Sequence, residues 1–256
     1  MKTNNSHVPL LVFITLVIFG CNKHQPQNPP VDCVDIPPQP GFGTGYQLLG
    51  DDTSDYAAAY NPLNSNEIIY IKSISHLHTI KLYKANLNTG DSVLIGDGSN
   101  FSSPPELSTT NWIVFCDGNF QICKYMSDGS SFTKLTNSGQ NFNPDWSPDG
   151  NKIVFKQGSL LYTMHNDGSS MKLLDSSVKG ANYPAWSPDG SKIAYSAVLN
   201  SSPYIGYMDT ITKQKIVLSG LSQGETVSAI SWFPMSDMII WATSSGLYTM
   251  NINTMQ

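Results

Sequence analysis

Short apolar runs ending in an aromatic recur along most of the chain: Ile68-Ile69-Tyr70, Ile113-Val114-Phe115, Ile153-Val154-Phe155, Ile193-Ala194-Tyr195 and Ile239-Ile240-Trp241. Each is bounded by clusters of Gly, Pro, Asn, Asp and Ser, the punctuation that separates short strands. The closing aromatics follow one another at intervals of 45, 40, 40 and 46 residues. A period of this length, with room for several strands per unit, predicts the blades of a β-propeller. The expected fold class is therefore all-β, with about five four-stranded blades.

One unit can be read strand by strand. Asn143 to Trp146 is a short inner strand, and Ser147-Pro148-Asp149-Gly150 turns the chain. Pro fixes φ in such a turn, Asp binds its own backbone and Gly accepts positive φ. Lys152 to Lys156, Leu160 to His165 and Met171 to Leu174 are the three strands that follow, separated by Gln157-Gly158 and Asn166-Asp167-Gly168-Ser169. The segment from Tyr183 to Tyr195 repeats the pattern, with Trp186, Pro188, Asp189 and Gly190 at the places of Trp146, Pro148, Asp149 and Gly150. Trp232 opens a less regular copy, and Tyr60 and Leu107 anchor two more. Each motif Trp offers a large apolar plate for packing one blade on the next. Turn chemistry already accounts for Asp149 and Asp189, which are read as structural.

The last unit stops before an outer strand. Gly246 to Asn251 resembles the third strand of the other units, yet only five residues follow it. An open blade exposes unpaired backbone groups. Tyr46-Gln47-Leu48-Leu49 resembles Met171 to Leu174, and Leu49 precedes Tyr60 by 11 residues, as Leu135 precedes Trp146. The expectation is that this N-terminal strand completes the final blade and closes the ring.

Ahead of the repeats lie two segments of different character. Val8 to Phe19 is apolar except for Thr15, which is too short for a bilayer span of about 20 residues and suits the core of an export signal. Ile18-Phe19-Gly20-Cys21 resembles a bacterial lipoprotein box, which implies lipidation of Cys21 and removal of residues 1–20. Asn22 to Pro40 then holds six prolines and reads as a semi-rigid spacer over residues 21–44, leaving 45–256 for the propeller. Such a protein would sit in the bacterial cell envelope, on the periplasmic or surface side of the outer membrane, held to the membrane by its lipid.

Charge narrows the function classes. Acids outnumber bases 19 to 14, and every base is Lys. With no guanidinium fork for phosphate or guanine, a nucleic-acid partner is not expected. The Trp-Ser-Pro-Asp-Gly units resemble the propeller of TolB and its relatives over about residues 45–256. That resemblance implies a rigid scaffold that docks partners through its end openings and rim. The five-unit pattern departs from the six blades and added N-terminal domain of TolB.

Related propellers precede serine peptidases, but the repeats leave no span for a hydrolase domain, and the Gly-x-Ser-x-Gly string of this chain, Gly220 to Gly224, falls at a loop between two repeats. Oligogalacturonate lyases, another related class, use a propeller with histidine-bound metal and acid-sugar substrates. His76-Leu77-His78 is the metal-like pair of this chain, since residues two apart on a strand share a face. A zinc site needs three or four protein ligands, and a third cannot be named, so His76 and His78 are read as a solvated loop and the lyase as the enzyme alternative. No cofactor is expected.

Cys116 and Cys123 flank a hairpin, and an exported chain meets oxidising surroundings; a disulfide between them is expected, with two buried thiols as the other reading. The loops entering each inner strand should converge on one mouth of the channel, where a rigid scaffold presents functional residues. Their Asn, Ser and aromatic content suits hydrogen bonding and stacking to a peptide or glycan. Asp55, Tyr56, Phe101, Asn141, Asn143, Tyr183 and Glu225 are the candidate ligand-binding residues. The chain is thus read as a monomeric, non-catalytic scaffold for an envelope protein or glycan.

Overall fold

A computed structural model of the chain describes residues 54–254 apart from 62–63, 65, 75–78, 99–104, 223 and 234–236. Cys21, the signal and spacer segments, the expected closing strand Tyr46–Leu49, His76, His78 and Phe101 all lie outside the described residues.

The described residues contain strands and no helix, in five small antiparallel sheets. Sheet one comprises β1 (Ser54–Tyr60), β2 (Glu67–Ile74), β3 (Thr79–Asn86) and β4 (Ser92–Gly98). Sheet two comprises β5 (Glu106–Leu107), β6 (Trp112–Cys116), β7 (Ile122–Met126) and β8 (Phe132–Lys134). Sheet three is β9 (Asn141–Trp146), β10 (Lys152–Gln157), β11 (Leu160–His165) and β12 (Lys172–Leu173). Sheet four is β13 (Lys179–Trp186), β14 (Lys192–Leu199), β15 (Ser202–Asp209) and β16 (Lys215–Gly220). Sheet five has three strands, β17 (Val227–Trp232), β18 (Met238–Thr243) and β19 (Gly246–Asn251). The chain divides between Ser138 and Gly139 into two compact units, so β1–β8 belong to one and β9–β19 to the other.

In the first unit, Ile69, Ile71 and Leu82 of sheet one pack with Ile113, Phe115 and Cys123 of sheet two in a single apolar cluster. The Cys pair shows how register decides chemistry. Cys116 faces Ile122 and Phe115 faces Cys123 across β6 and β7. Successive residues of a strand point to opposite faces, so this one-residue offset sends the two sulfurs to opposite sides of the sheet. No disulfide joins them, which corrects the sequence expectation: both are buried thiols. Burial, reinforced by the charge of Asp117, pushes the Cys123 thiol up to about 12.

In the second unit each sheet is covered by the next. Leu161 of β11 packs with Val178, Ala181, Tyr195 and Tyr204 at sheet four, and Ala185, Ala194 and Ile205 of sheet four pack with Ile230, Trp232 and Trp241 of sheet five. Trp232 adds direction, its indole N–H donating to the carbonyl of Ala185 at 3.0 Å. The recurring aromatic that ends each apolar run is buried in all five sheets. In three of them it stacks on the residue opposite, at 5.5 Å for Tyr70 and Tyr83, 6.1 Å for Phe155 and Tyr162, and 5.8 Å for Trp241 and Tyr248.

The motif turn has one construction in both of its regular copies. The Ser147 hydroxyl donates to Asp149 at 2.6 Å and accepts the Lys152 N–H at 2.8 Å, while Asp149 also accepts the Asn151 N–H at 3.1 Å. Ser187, Asp189, Ser191 and Lys192 repeat these bonds. Gly150 and Gly190 occupy φ 69° and 73°, where a Cβ is strained. The Ser147 hydrogen bond holds the Asp149 carboxyl below its ordinary value. The carboxylate is thus occupied within the turn.

Sheet five differs from its neighbours at β19. Leu161, Ile205 and Leu247 each lie opposite the residue that follows the buried aromatic, namely Lys156, Ser196 and Ala242. Leu161 and Ile205 are 1% and 0% exposed, whereas Leu247 is 63% exposed. Leu161→Ala should therefore destabilise by about 2–5 kcal/mol, as for a buried Leu truncated to leave a cavity. Leu247→Ala should stay within about 0.5 kcal/mol. Urea midpoints followed by tryptophan fluorescence check the contrast, and equal losses would contradict it. Cys116 and Cys123 should both be alkylated by iodoacetamide in denaturant without reductant, and neither in the native protein at pH 8.

Candidate functional site

Hydrogen bonds between turns define two ends in the second unit. At one end the motif turns hold the turns between third and fourth strands, through Asn166 N–H to Asn151 O at 2.9 Å and Thr210 N–H to Ser191 O at 2.8 Å. At the other end, the segments entering the inner strands lie against the hairpins between second and third strands. Gly158 N–H donates to Gln140 O at 3.0 Å, and Ser244 N–H to Thr226 O at 3.0 Å. This second, entry end carries the sequence candidates Asn141, Asn143, Tyr183 and Glu225.

Two inner strands are bulged there in the same way. Pairing of β9 with β10 jumps from Asp145↔Val154 to Phe142↔Lys156, and pairing of β13 with β14 jumps from Ala185↔Ala194 to Asn182↔Ser196. Asn143-Pro144 stand opposite the single residue Phe155, and Tyr183-Pro184 opposite Tyr195. Asn143 and Tyr183 both sit at φ 49°, in the left-handed region. Asn tolerates it, but for a bulky residue ahead of proline such a backbone costs on the order of 1–3 kcal/mol and persists only where surroundings impose it. Bulges of this kind re-aim side chains.

The re-aimed groups form a polar array across two blades. Asn143 Nδ2 donates to Asn182 Oδ1 at 2.8 Å, and the Ser196 hydroxyl donates to the Asn182 carbonyl at 3.3 Å. Tyr183 is half-buried against the cluster shared by sheets four and five, and burial pushes its phenol up. Among the described residues no hydrogen-bond partner engages its hydroxyl. Lys156 Nζ stands 5.3 Å from the centroid of the Phe142 ring.

The remaining candidates are occupied otherwise. Asn141 is buried, its Oδ1 accepting from Gln157 Nε2 at 2.9 Å, so it braces β9 against β10. Glu225 accepts from the Ser245 and Thr243 hydroxyls, the latter at 2.6 Å, and from the Ser222 N–H at 3.0 Å. These bonds, that of Ser245 foremost, hold its carboxyl below the ordinary range and pin the entering loop to the β18–β19 hairpin. Asp55 and Tyr56 lie in β1, opposite Lys72 and Ile71; their side chains lie outside the described residues.

Sequence reasoning passed over Asn182, Lys156 and Asp145. The signal for Asn182 was present in the Asn-Pro and Tyr-Pro steps placed 40 residues apart on inner strands. Asp145 precedes the first motif Trp, and its Oδ2 accepts the Trp186 N–H of the next blade at 2.6 Å. Burial pushes its carboxyl up to about 7, against the pull of the Trp186 and Trp146 N–H groups. Among the described residues, no three His, Cys, Asp or Glu side chains are grouped to hold a metal. The array can hydrogen-bond and stack.

Five small antiparallel sheets that follow one another along the chain, two of them with the Ser-Pro-Asp-Gly turn between first and second strands, define a β-propeller of five blades. The chain belongs to the TolB beta propeller domain family, whose model matches residues 52–255. It is 39% identical over 77 residues to the Tol-Pal system protein TolB of Geobacter sulfurreducens, a match covering 28% of this chain and 18% of that one. The crystal structure of TolB from Acinetobacter baumannii superposes with a TM-score of 0.70 at 21% identity, over 81% of this chain and 54% of that one. The chain therefore spans about half the length of that TolB. An oligogalacturonate lyase in complex with manganese is also similar, with a TM-score of 0.55 at 10% identity over 82% of this chain and 78% of that one. Both likenesses are of fold.

Asp145 supplies a pH test. Its folded value lies above the ordinary carboxyl value of about 3.9, so the native state keeps a proton that the unfolded chain releases. Its contribution to stability is whole below about pH 4 and is lost as pH rises through about 7. Asp145→Asn keeps an oxygen for the Trp186 N–H without a charge. The variant's urea midpoint should rise relative to the parent between pH 4.5 and 8; parallel profiles would contradict the assignment.

Proposed function

We propose that this protein is a lipid-anchored, non-catalytic scaffold of the cell envelope, whose propeller docks a protein or glycan partner at the entry end of the blades. The observation that carries the docking role is the pair of matching bulges at Asn143 and Tyr183, both with left-handed backbone. The same bulge in successive blades re-aims Asn143 and Tyr183 beside Asn182, and the Tyr183 hydroxyl stays open for a partner. The TolB of the Tol-Pal system, to which the chain is similar, supports a place in the envelope.

In this reading residues 1–20 are an export signal, Cys21 carries the lipid, 21–44 form the spacer and 45–256 the propeller, with Tyr46–Leu49 closing its last blade. Anchoring by several acyl chains would hold the monomer stably at the periplasmic or surface side of the outer membrane. Of the original candidates Asn143 and Tyr183 remain partner-binding residues, whereas Asn141 and Glu225 hold the framework. The lyase alternative rests on His76 and His78, which lie outside the described residues, and on a weaker likeness of fold.

Two measurements test the proposal. A clickable fatty-acid label should enter the wild-type chain and not Cys21→Ser. Crosslinking in cells should capture a defined envelope partner, and Tyr183→Ala should reduce capture about tenfold or more while leaving the unfolding free energy from urea titration within about 1 kcal/mol, as for a half-buried residue at a binding surface. Capture unchanged by Tyr183→Ala would remove the entry end as the docking face.

A further inference from the structure

Lys156 occupies a position that the other repeats keep uncharged. The residue after the buried aromatic is Ile71, Cys116, Ser196 or Ala242 elsewhere, and Lys156 in sheet three. Ile71 is 1% and Cys116 0% exposed. Register pairs Lys156 with both Phe142 and Leu161, so its side chain shares their face of the sheet, where Leu161 is covered by sheet four. Burial pulls the Lys156 amine below its ordinary value. The ammonium lies over the Phe142 ring, and among the described residues no carboxylate pairs with it.

A ring face alone offsets only part of the hydration that a lysine loses on partial burial. A local rule broken without internal compensation points to function. Next to Phe142 in sequence is Asn143, whose amide pairs with Asn182 through one donor and one acceptor. The pair's second acceptor, Asn143 Oδ1, and second donor group, Asn182 Nδ2, match the N–H and C=O that a peptide main chain supplies together.

We propose that Lys156, backed by the Phe142 ring and flanked by the Asn143–Asn182 amides, receives the carboxylate of an Asp or Glu side chain from a protein partner. The inference rests on the docking role proposed for the entry end and names the chemistry recognised there. The amides hold the partner's main chain while the partly buried ammonium takes its acid, an arrangement in which a charged hydrogen bond is stronger than in water.

The test uses the purified full chain in detergent and three probes: a blocked Glu-Ser-Glu-Ser-Glu peptide, its Gln counterpart, and a glucuronic acid trisaccharide. Calorimetry should show the acidic peptide binding about tenfold or more tighter than the Gln peptide, with Lys156→Met removing that preference. Lys156→Met should keep its urea midpoint, since Met preserves the packing on Phe142. Equal binding of the two peptides, an effect unchanged by Lys156→Met, or binding of the trisaccharide alone would overturn the proposal. If Tyr183→Ala abolishes capture of the cellular partner and Lys156→Met does not, the docking role stands and this inference falls.

Discussion

The burial of one blade's face by the next is the constraint on which the rest depends. A sheet of short antiparallel strands with apolar residues on both faces cannot hide either without a neighbour, and isolated hairpins are marginal in water. Here Leu161 is closed off by sheet four, and Ile205 by sheet five. Polar bonds are laid into the same seams. The Trp232 indole reaches the Ala185 carbonyl, and the Asp145 carboxyl takes the Trp186 N–H. These bonds have fixed lengths and directions, so they set how one sheet lies on another where apolar packing alone would permit sliding.

Local chemistry was legible in the residues themselves. Ser147-Pro148-Asp149-Gly150 and Ser187-Pro188-Asp189-Gly190 make the same hydrogen-bonded turn because every partner lies within five residues. The period of the buried aromatics gave the blade count for a related reason, since each lies within a strand that must be covered on both faces. Sheet five has three strands among the described residues, and the strand expected to complete it, Tyr46–Leu49, lies outside them.

What depended on register was not legible. Cys116 and Cys123 looked like facing partners until a single-residue offset assigned them to opposite sides of the sheet. Asn141 and Glu225 looked like loop ligands because composition cannot show that Gln157, Thr243 and Ser245 already claim their oxygens. Lys156 escaped notice for the opposite reason. As one charge in a strand it reads as solvent-facing, and only alignment of five repeats with their burial shows it standing where the others place apolar or small residues.

Every pairing among the described strands joins neighbours along the chain, with no crossover inside any sheet. Sheet proteins generally fold slowly because they must close long loops before the resulting contacts offset the lost chain entropy. Here each hairpin closes over a few residues, so a blade can assemble soon after its segment is made. The same modularity lets copies of about 40 residues be gained or lost in a lineage by duplication or deletion, without rewiring any surviving sheet.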